Sequence, residues 1–344
     1  MEMLNSLILA GGLWSTLINW FAKWIVNYGW AIVVFTIVLK LVLSPLDFLQ
    51  RKGTAKQQRI MAYMQPEINA INEKYKGDKA RINAETNKIY QKYNKGMGGS
   101  CATMLITMLL SMVIFFTLYS SIRKFGQEML YESYKELDDS YTIAYTQTYK
   151  EYGNTDYATT QAVNKTLETY TSLKKKHGWL WVKNVWKSDT RTSQFVDLDA
   201  YLSHYGIAAE SPEGVAIAAR YQTITSAILN GQKNQNGYYM LIILCALITM
   251  LSQLISAKLL SPKGQKLNTT NKVMMIAMPI FMLIFAWTSN VVFALYIITN
   301  SVMTTILSTI ITLITMRSGK KDVDILTRKG NVEVVEYSRN YKKK

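Results

Sequence analysis

The chain has 344 residues, a formal net charge of +16, 49% hydrophobic residues and 5 prolines. A mean hydropathy near zero would suit a soluble protein, but charge is missing from several long windows and dense between them, which argues against one soluble globular fold. The basic residues lie between the apolar windows, where they set orientation and meet anionic headgroups, so the charge does not read as nucleic-acid sequence readout.

Residues 1–28 carry Glu2 instead of a basic start, lack arginine, and show no small-residue cleavage site after a clean apolar run. They are expected to be neither a secretory signal nor a mitochondrial presequence. Leu13, Trp14, Leu17, Ile18, Phe21 and Trp24 recur at helical spacing, which predicts an amphipathic helix in the membrane interface; a short uncleaved span is the competing reading. A helix needs roughly 20 mostly apolar residues to cross the hydrocarbon, and the first such segment is 29–49, interrupted by Lys40 and Pro45. Residues 50–99 are polar with helical periodicity, divided at Lys76-Gly77-Asp78 into a hairpin that contains Met64, Pro66 and Tyr75. The breaker Gly96-Met97-Gly98-Gly99 is expected to end it, before a second span at 100–122.

Residues 123–236 form a long polar insert rich in tyrosine and threonine. Leu130, Tyr134, Leu137, Tyr141 and Tyr145 recur at three and four, and Gly153-Asn154 marks a turn into a second helix. Spans follow at 237–257, 273–289 and 291–316, with a basic loop at 258–272 and a basic tail at 317–344. Residues 50–99 and 258–272 carry the cationic excess, whereas the insert is nearly balanced. The N-terminus and the insert are therefore expected outside, and the hairpin, second loop and tail in the cytoplasm. Arg123 and Lys124 are a local exception.

Lys40 is the informative residue, because a lysine in mid-span costs roughly 2.5–3.5 kcal/mol on insertion scales and usually faces a wet cavity or a partner. Thr36 and Ser44 lie one turn to either side. Other spans bear similar stripes: Thr103, Thr107 and Ser111; Thr249, Ser252, Gln253 and Ser256; Asn300, Thr304, Ser308 and Thr312. Converging, they would line a hydrophilic groove around Lys40. The alternatives are helix packing by small polar residues and a lysine that snorkels to the interface. The hairpin's cationic face could likewise rest on anionic lipid.

Cys101 and Cys245 both lie in apolar windows, and His177 and His204 lie outside the spans. No P-loop, zinc-ligand spacing or nucleophile elbow is present. Neither an enzyme, nor a metal site, nor a cofactor is expected. Two competing classes remain: a small-anion transporter or channel using Lys40, and an assembly scaffold for membrane complexes using the insert.

The residues resemble the YidC-type membrane protein insertases, which are related to the mitochondrial oxidase-assembly and chloroplast albino insertases. The resemblance rests on Asn27-Tyr28-Gly29-Trp30, Leu43-Ser44-Pro45-Leu46, Met64-Gln65-Pro66-Glu67-Ile68, Glu73-Lys74-Tyr75 and Gly98-Gly99-Ser100-Cys101. It continues through Trp181-Val182-Lys183-Asn184, Met278-Pro279 and Leu295-Tyr296-Ile297-Ile298-Thr299-Asn300. It implies an all-α polytopic protein with a five-helix insertase core, a cytoplasmic helical hairpin and, here, a helical extracytoplasmic insert. It also implies residence in the bacterial plasma membrane, nascent membrane proteins as clients, action as a monomer, and a ribosome contact through the basic tail. Work beside a Sec translocon stays open. The family has an arginine five residues before its Pro-Leu pair; this chain has Lys40 before Pro45-Leu46.

Overall fold

A chain in hydrocarbon must satisfy its backbone internally, so long charge-free windows become helices. The computed structural model describes residues 2–260 and 269–318, with side chains described for 12–54, 64–91, 105–258, 273 and 276–314. Most of the expected 258–272 loop, nearly all of the 317–344 tail, and the side chains of Cys101 and Thr103 lie outside those residues. The helices are α1 (Glu2–Trp24), α2 (Tyr28–Lys74), α3 (Lys79–Tyr152), α4 (Thr155–His177), α5 (Leu198–His204), α6 (Pro212–Leu229), α7 (Met240–Leu260), α8 (Thr269–Thr288) and α9 (Val291–Ser318).

Among the described residues, four windows are long and apolar enough to cross a membrane: Tyr28–Thr54, Leu105–Tyr152, Met240–Lys258 and Val291–Ile314. Ile276–Thr288 is a shorter apolar helix. The chain is an all-α polytopic membrane protein.

The break expected at Gly96–Gly99 is absent. Helix α2 continues through Pro45 and Pro66, and α3 continues through the Gly96–Gly99 stretch. A glycine in a helix costs only about 1 kcal/mol relative to alanine, so hydrogen-bond ladders on both flanks carry α3 across. The expected divide at Gly77 is present between α2 and α3, and its φ of +101° is open to glycine at no steric cost.

The described residues divide into two bodies: 2–40 with 112–251 and 273–302, and 41–111 with 252–260, 269–272 and 303–318. In the first, an apolar core joins Tyr28, Ile32 and Phe35 of α2 to Leu118 and Ile122 of α3, Leu241 and Cys245 of α7, and Val291–Ile297 of α9. Phe115, Tyr119, Phe285 and Phe293 meet edge-on within it, the geometry favoured by the ring quadrupole.

The insert belongs to this body and has cores of its own. Leu137 and Tyr141 of α3 pack with Ala162 and Leu173 of α4 and Ile224 of α6. Tyr134 packs with Val196, Tyr201, Leu202 and Ile217. Arg220 donates two bonds to the Asp138 carboxylate, at 2.7 and 2.9 Å, which fastens α6 to α3. Asn154 caps α4 through Tyr157 N–H and Ser211 caps α6 through Gly214 N–H. In the second body, Met64 and Ile89 are buried against each other, with Ile68 and Ile71 alongside.

Candidate functional site

The polar positions of the spans fall in both bodies, and each body places its own. In the first, Thr36 is fully buried and its hydroxyl donates to Ile32 O at 2.6 Å, so its polar group is satisfied by its own helix. Lys40 and Asn300 are half-buried. Thr249 is buried and donates to Cys245 O at 2.8 Å.

The second body holds Ser44, Thr107, Ser111, Gln253 and Thr304. Ser44, Gln253 and Thr304 are half-buried, and Ser111 is exposed with its hydroxyl on Thr107 O at 2.8 Å. Thr107 is buried. Three further hydrogen bonds belong to polar residues of this body. Arg51 donates to Ser256 Oγ at 3.4 Å, and Thr305 donates to Ser252 Oγ at 2.7 Å. Two turns further along α9, Thr312 donates to Ser308 O at 2.7 Å.

Spacing by four picks out Thr304, Ser308 and Thr312, but the bond to α7 is made by Thr305. A repeat of four selects a face of a helix without selecting the neighbour that face meets. Only the adjacent Thr304-Thr305 pair in the sequence hinted at a choice. Arg51 reads from composition as one more loop cation, yet it is half-buried against α7.

The hairpin residues differ in availability. Met64 is fully buried in the hairpin's own core, Pro66 is exposed, and Tyr75 is half-buried. Lys74 and Arg81 stand over the Tyr75 ring at 5.3 and 5.9 Å, within cation–π range. Among the hairpin's described side chains the apolar ones largely face inward, and its surface is cationic and polar.

Where the insert meets the helical bundle, the segment 178–197 is tied down by backbone groups. Asn236 accepts from Asn184 N–H at 2.8 Å and donates to the Asn184 and Ser188 carbonyls, each at 2.9 Å. Asp189 takes Tyr238 N–H at 2.8 Å and Leu241 N–H at 2.6 Å, placing a negative charge at the N-terminus of α7, where the helix dipole favours it. Val291 N–H at the start of α9 donates to Lys187 O at 2.9 Å. Trp186 Nε1–H donates to His177 Nδ1 at 2.6 Å, and the His177 ring stacks on Tyr28 at 5.2 Å. A Cβ at Gly237 would strike the Asp189 carboxylate, so glycine is required at that approach.

Among the described residues, no group of three or more His, Cys, Asp or Glu side chains comes together to hold a metal ion. The arrangement is one of partly buried polar groups along apolar helices.

A model of the family described as 60Kd inner membrane protein matches residues 20–318. The chain belongs to that family. These 60Kd inner membrane proteins include the YidC-type insertases whose motifs the sequence resembles. One similar protein is the membrane protein insertase YidC of Wolinella succinogenes, 32% identical over 114 residues, which is 33% of this chain and 20% of that one. Another is the YidC of Syntrophobacter fumaroxidans, 35% identical over 102 residues, 30% of this chain and 17% of the relative. The YidC of Helicobacter pylori is 25% identical over 114 residues, 33% of this chain and 20% of the relative. The chain thus spans a fifth or less of the length of these curated relatives in the matched region.

Proposed function

We propose that this chain is a membrane protein insertase, helping hydrophobic segments of nascent proteins into the bilayer and chaperoning their folding. The observation that carries this reading is membership in the 60Kd inner membrane protein family, in a chain with a lysine inside its first apolar span. Lys40 supplies the positive charge of a hydrophilic groove, with Thr36 and Ser44 on the same stripe of α2. Thr103, Thr107, Ser111, Gln253, Asn300 and Thr304 are the further polar span positions proposed to meet the client.

The hairpin, through its cationic surface, meets the client or anionic headgroups on the cytoplasmic side. The polar end of a client enters the groove, drawn to Lys40 when acidic, and its apolar part passes into lipid. Transfer of apolar surface, worth about 25 cal/mol per Å², drives the step, and the protein shortens the dry path for polar groups. Neither nucleotide nor covalent intermediate is needed. The protein works in the bacterial plasma membrane as a monomer, its insert outside and its basic tail in the cytoplasm against the ribosome. Work alone or alongside the Sec translocon is compatible with this mechanism.

Lys40 tests the mechanism directly. Variants Lys40→Arg, Lys40→Met and Lys40→Glu are compared for insertion of a client with an acidic translocated tail. Arg should match or exceed Lys, since a planar guanidinium can bind a carboxylate through two bonds; Met should insert several-fold less, and Glu least. Equal insertion by all variants would remove the electrostatic role. A small anion crossing liposomes in a Lys40-dependent way would favour the channel reading.

A further inference from the structure

The insert segment contains a turn with one residue, Leu180, whose chemistry does not serve the fold. Trp179 and Val182 exchange both backbone hydrogen bonds, at 2.9 and 2.8 Å, which leaves Leu180 and Trp181 as a two-residue loop. Only the first of these has a positive φ, +50° at Leu180. That is the II′ pattern, which takes glycine at its first loop position. Leucine there strains the backbone, and its side chain is 67% exposed. Folding alone would favour glycine, so whatever rewards leucine lies outside this body.

The neighbours of the turn say what lies outside. Asn27, at the start of the first span, donates to Gly178 O at 2.6 Å and to Lys175 O at 2.9 Å. Trp179 stands edge-on to Trp30 at 5.6 Å, and a Cβ at Gly29 would run into the Trp179 ring. The turn is therefore held at the level where α2 begins its apolar window. Trp24, Val26 and Trp30 are 76%, 70% and 50% exposed at that level, and tryptophan concentrates at membrane–water interfaces. Lys174, Lys175 and Lys176, exposed at the end of α4, precede the turn directly, and Lys183 follows it.

We propose that the Trp179–Val182 turn is an interfacial anchor: Leu180 enters the acyl boundary of the adjoining leaflet beside Trp24, Val26 and Trp30, and the flanking lysines bind anionic lipid phosphates. This accounts for cations that run against the charge rule for a segment expected outside. It also gives the insert a second attachment to the membrane, beyond its covalent link to the spans.

The experiment uses the full chain, with Cys101→Ser and Cys245→Ala, in phosphatidylcholine vesicles with or without phosphatidylglycerol. An environment-sensitive fluorophore is placed at Leu180→Cys, and in a separate protein at Tyr149→Cys. The latter site lies about 40 Å along α3 from Arg123 by helical rise. At 180, iodide quenching should be several-fold weaker than at 149, and lipids carrying a headgroup-level quencher should quench strongly. Phosphatidylglycerol should deepen the shielding, and Lys174→Glu/Lys175→Glu/Lys176→Glu should abolish that increment. Equal iodide access at 180 and 149 overturns the anchor. So does shielding at 180 without lipid quenching, which would point to a protein covering the turn. Val26→Cys leaves the turn unaltered and reads the same face; if that label is also open to iodide in vesicles, the proposal fails.

Discussion

Asp189 is 1% exposed, and its carboxylate serves two backbone donors at the head of α7, with Trp181 Nε1 as a third at 3.4 Å. Asp189→Ala leaves those backbone N–H groups without their partner, a loss on the order of 3 kcal/mol at 1–3 kcal/mol per buried group. Thermal unfolding in detergent should shift down by several degrees, with Asp189→Asn intermediate because one acceptor oxygen remains. His177, in the same contact region, is buried and accepts from Trp186. Burial, reinforced by the charge of Lys176, lowers its pKa from 6.5 to about 3. The folded protein therefore holds it neutral while the unfolded chain protonates it below about pH 6.5. Its contribution to stability is complete above that pH and is lost as pH falls towards 3. Melting curves between pH 7.5 and 4 should show the decline, and His177→Gln should flatten it; an unchanged slope would assign the pH dependence to other groups.

At the scale of elements, the insert divides into a part that braces the bundle and a part that does not. The segment 178–197 bonds to the starts of α7 and α9, whereas the outer parts of α3 and α4 pack with each other and with α6. Ser140 meets Thr169 at 2.9 Å, and Tyr141, Tyr145 and Tyr149 stack along α3 out to the Gly153 turn. Excising Thr146–Gln161 and closing the gap with a short glycine linker should leave client insertion near that of the intact chain, measured in proteoliposomes. Loss of insertion with the bundle still folded would favour the scaffold reading, in which this arm is the working surface. The hairpin was legible as an element because Ile68 and Ile71 recur at helical spacing ahead of the Gly77 turn. Its partition was not: Met64 reads as one more apolar position, and only packing against Ile89 shows that it is spent inside the hairpin. The Gly96–Gly99 stretch misled for the opposite reason, since local propensity is small beside the ladders on either side of it.

For the whole molecule, the sequence alone determined the class: long charge-free windows in a lipid solvent leave the backbone no option but helix, so polytopic α-structure was readable without coordinates. The lysine in the first span and the ordered motifs were equally readable, because both are properties of residue identity and spacing. Tertiary structure decided which polar positions find partners. Thr36 turns back onto Ile32, Thr305 reaches Ser252 where Thr304 was the expected lining residue, and Arg51 joins Ser256. It also decided the insert, whose tyrosine-rich helices follow the same periodicity whether free or packed. Its attachment runs through Asn184, Asp189 and Asn236, polar residues with no repeating pattern. Periodicity records which face of an element is buried, but a bond between residues about 50 positions apart depends on how the chain returns, and that is set only when the body has packed.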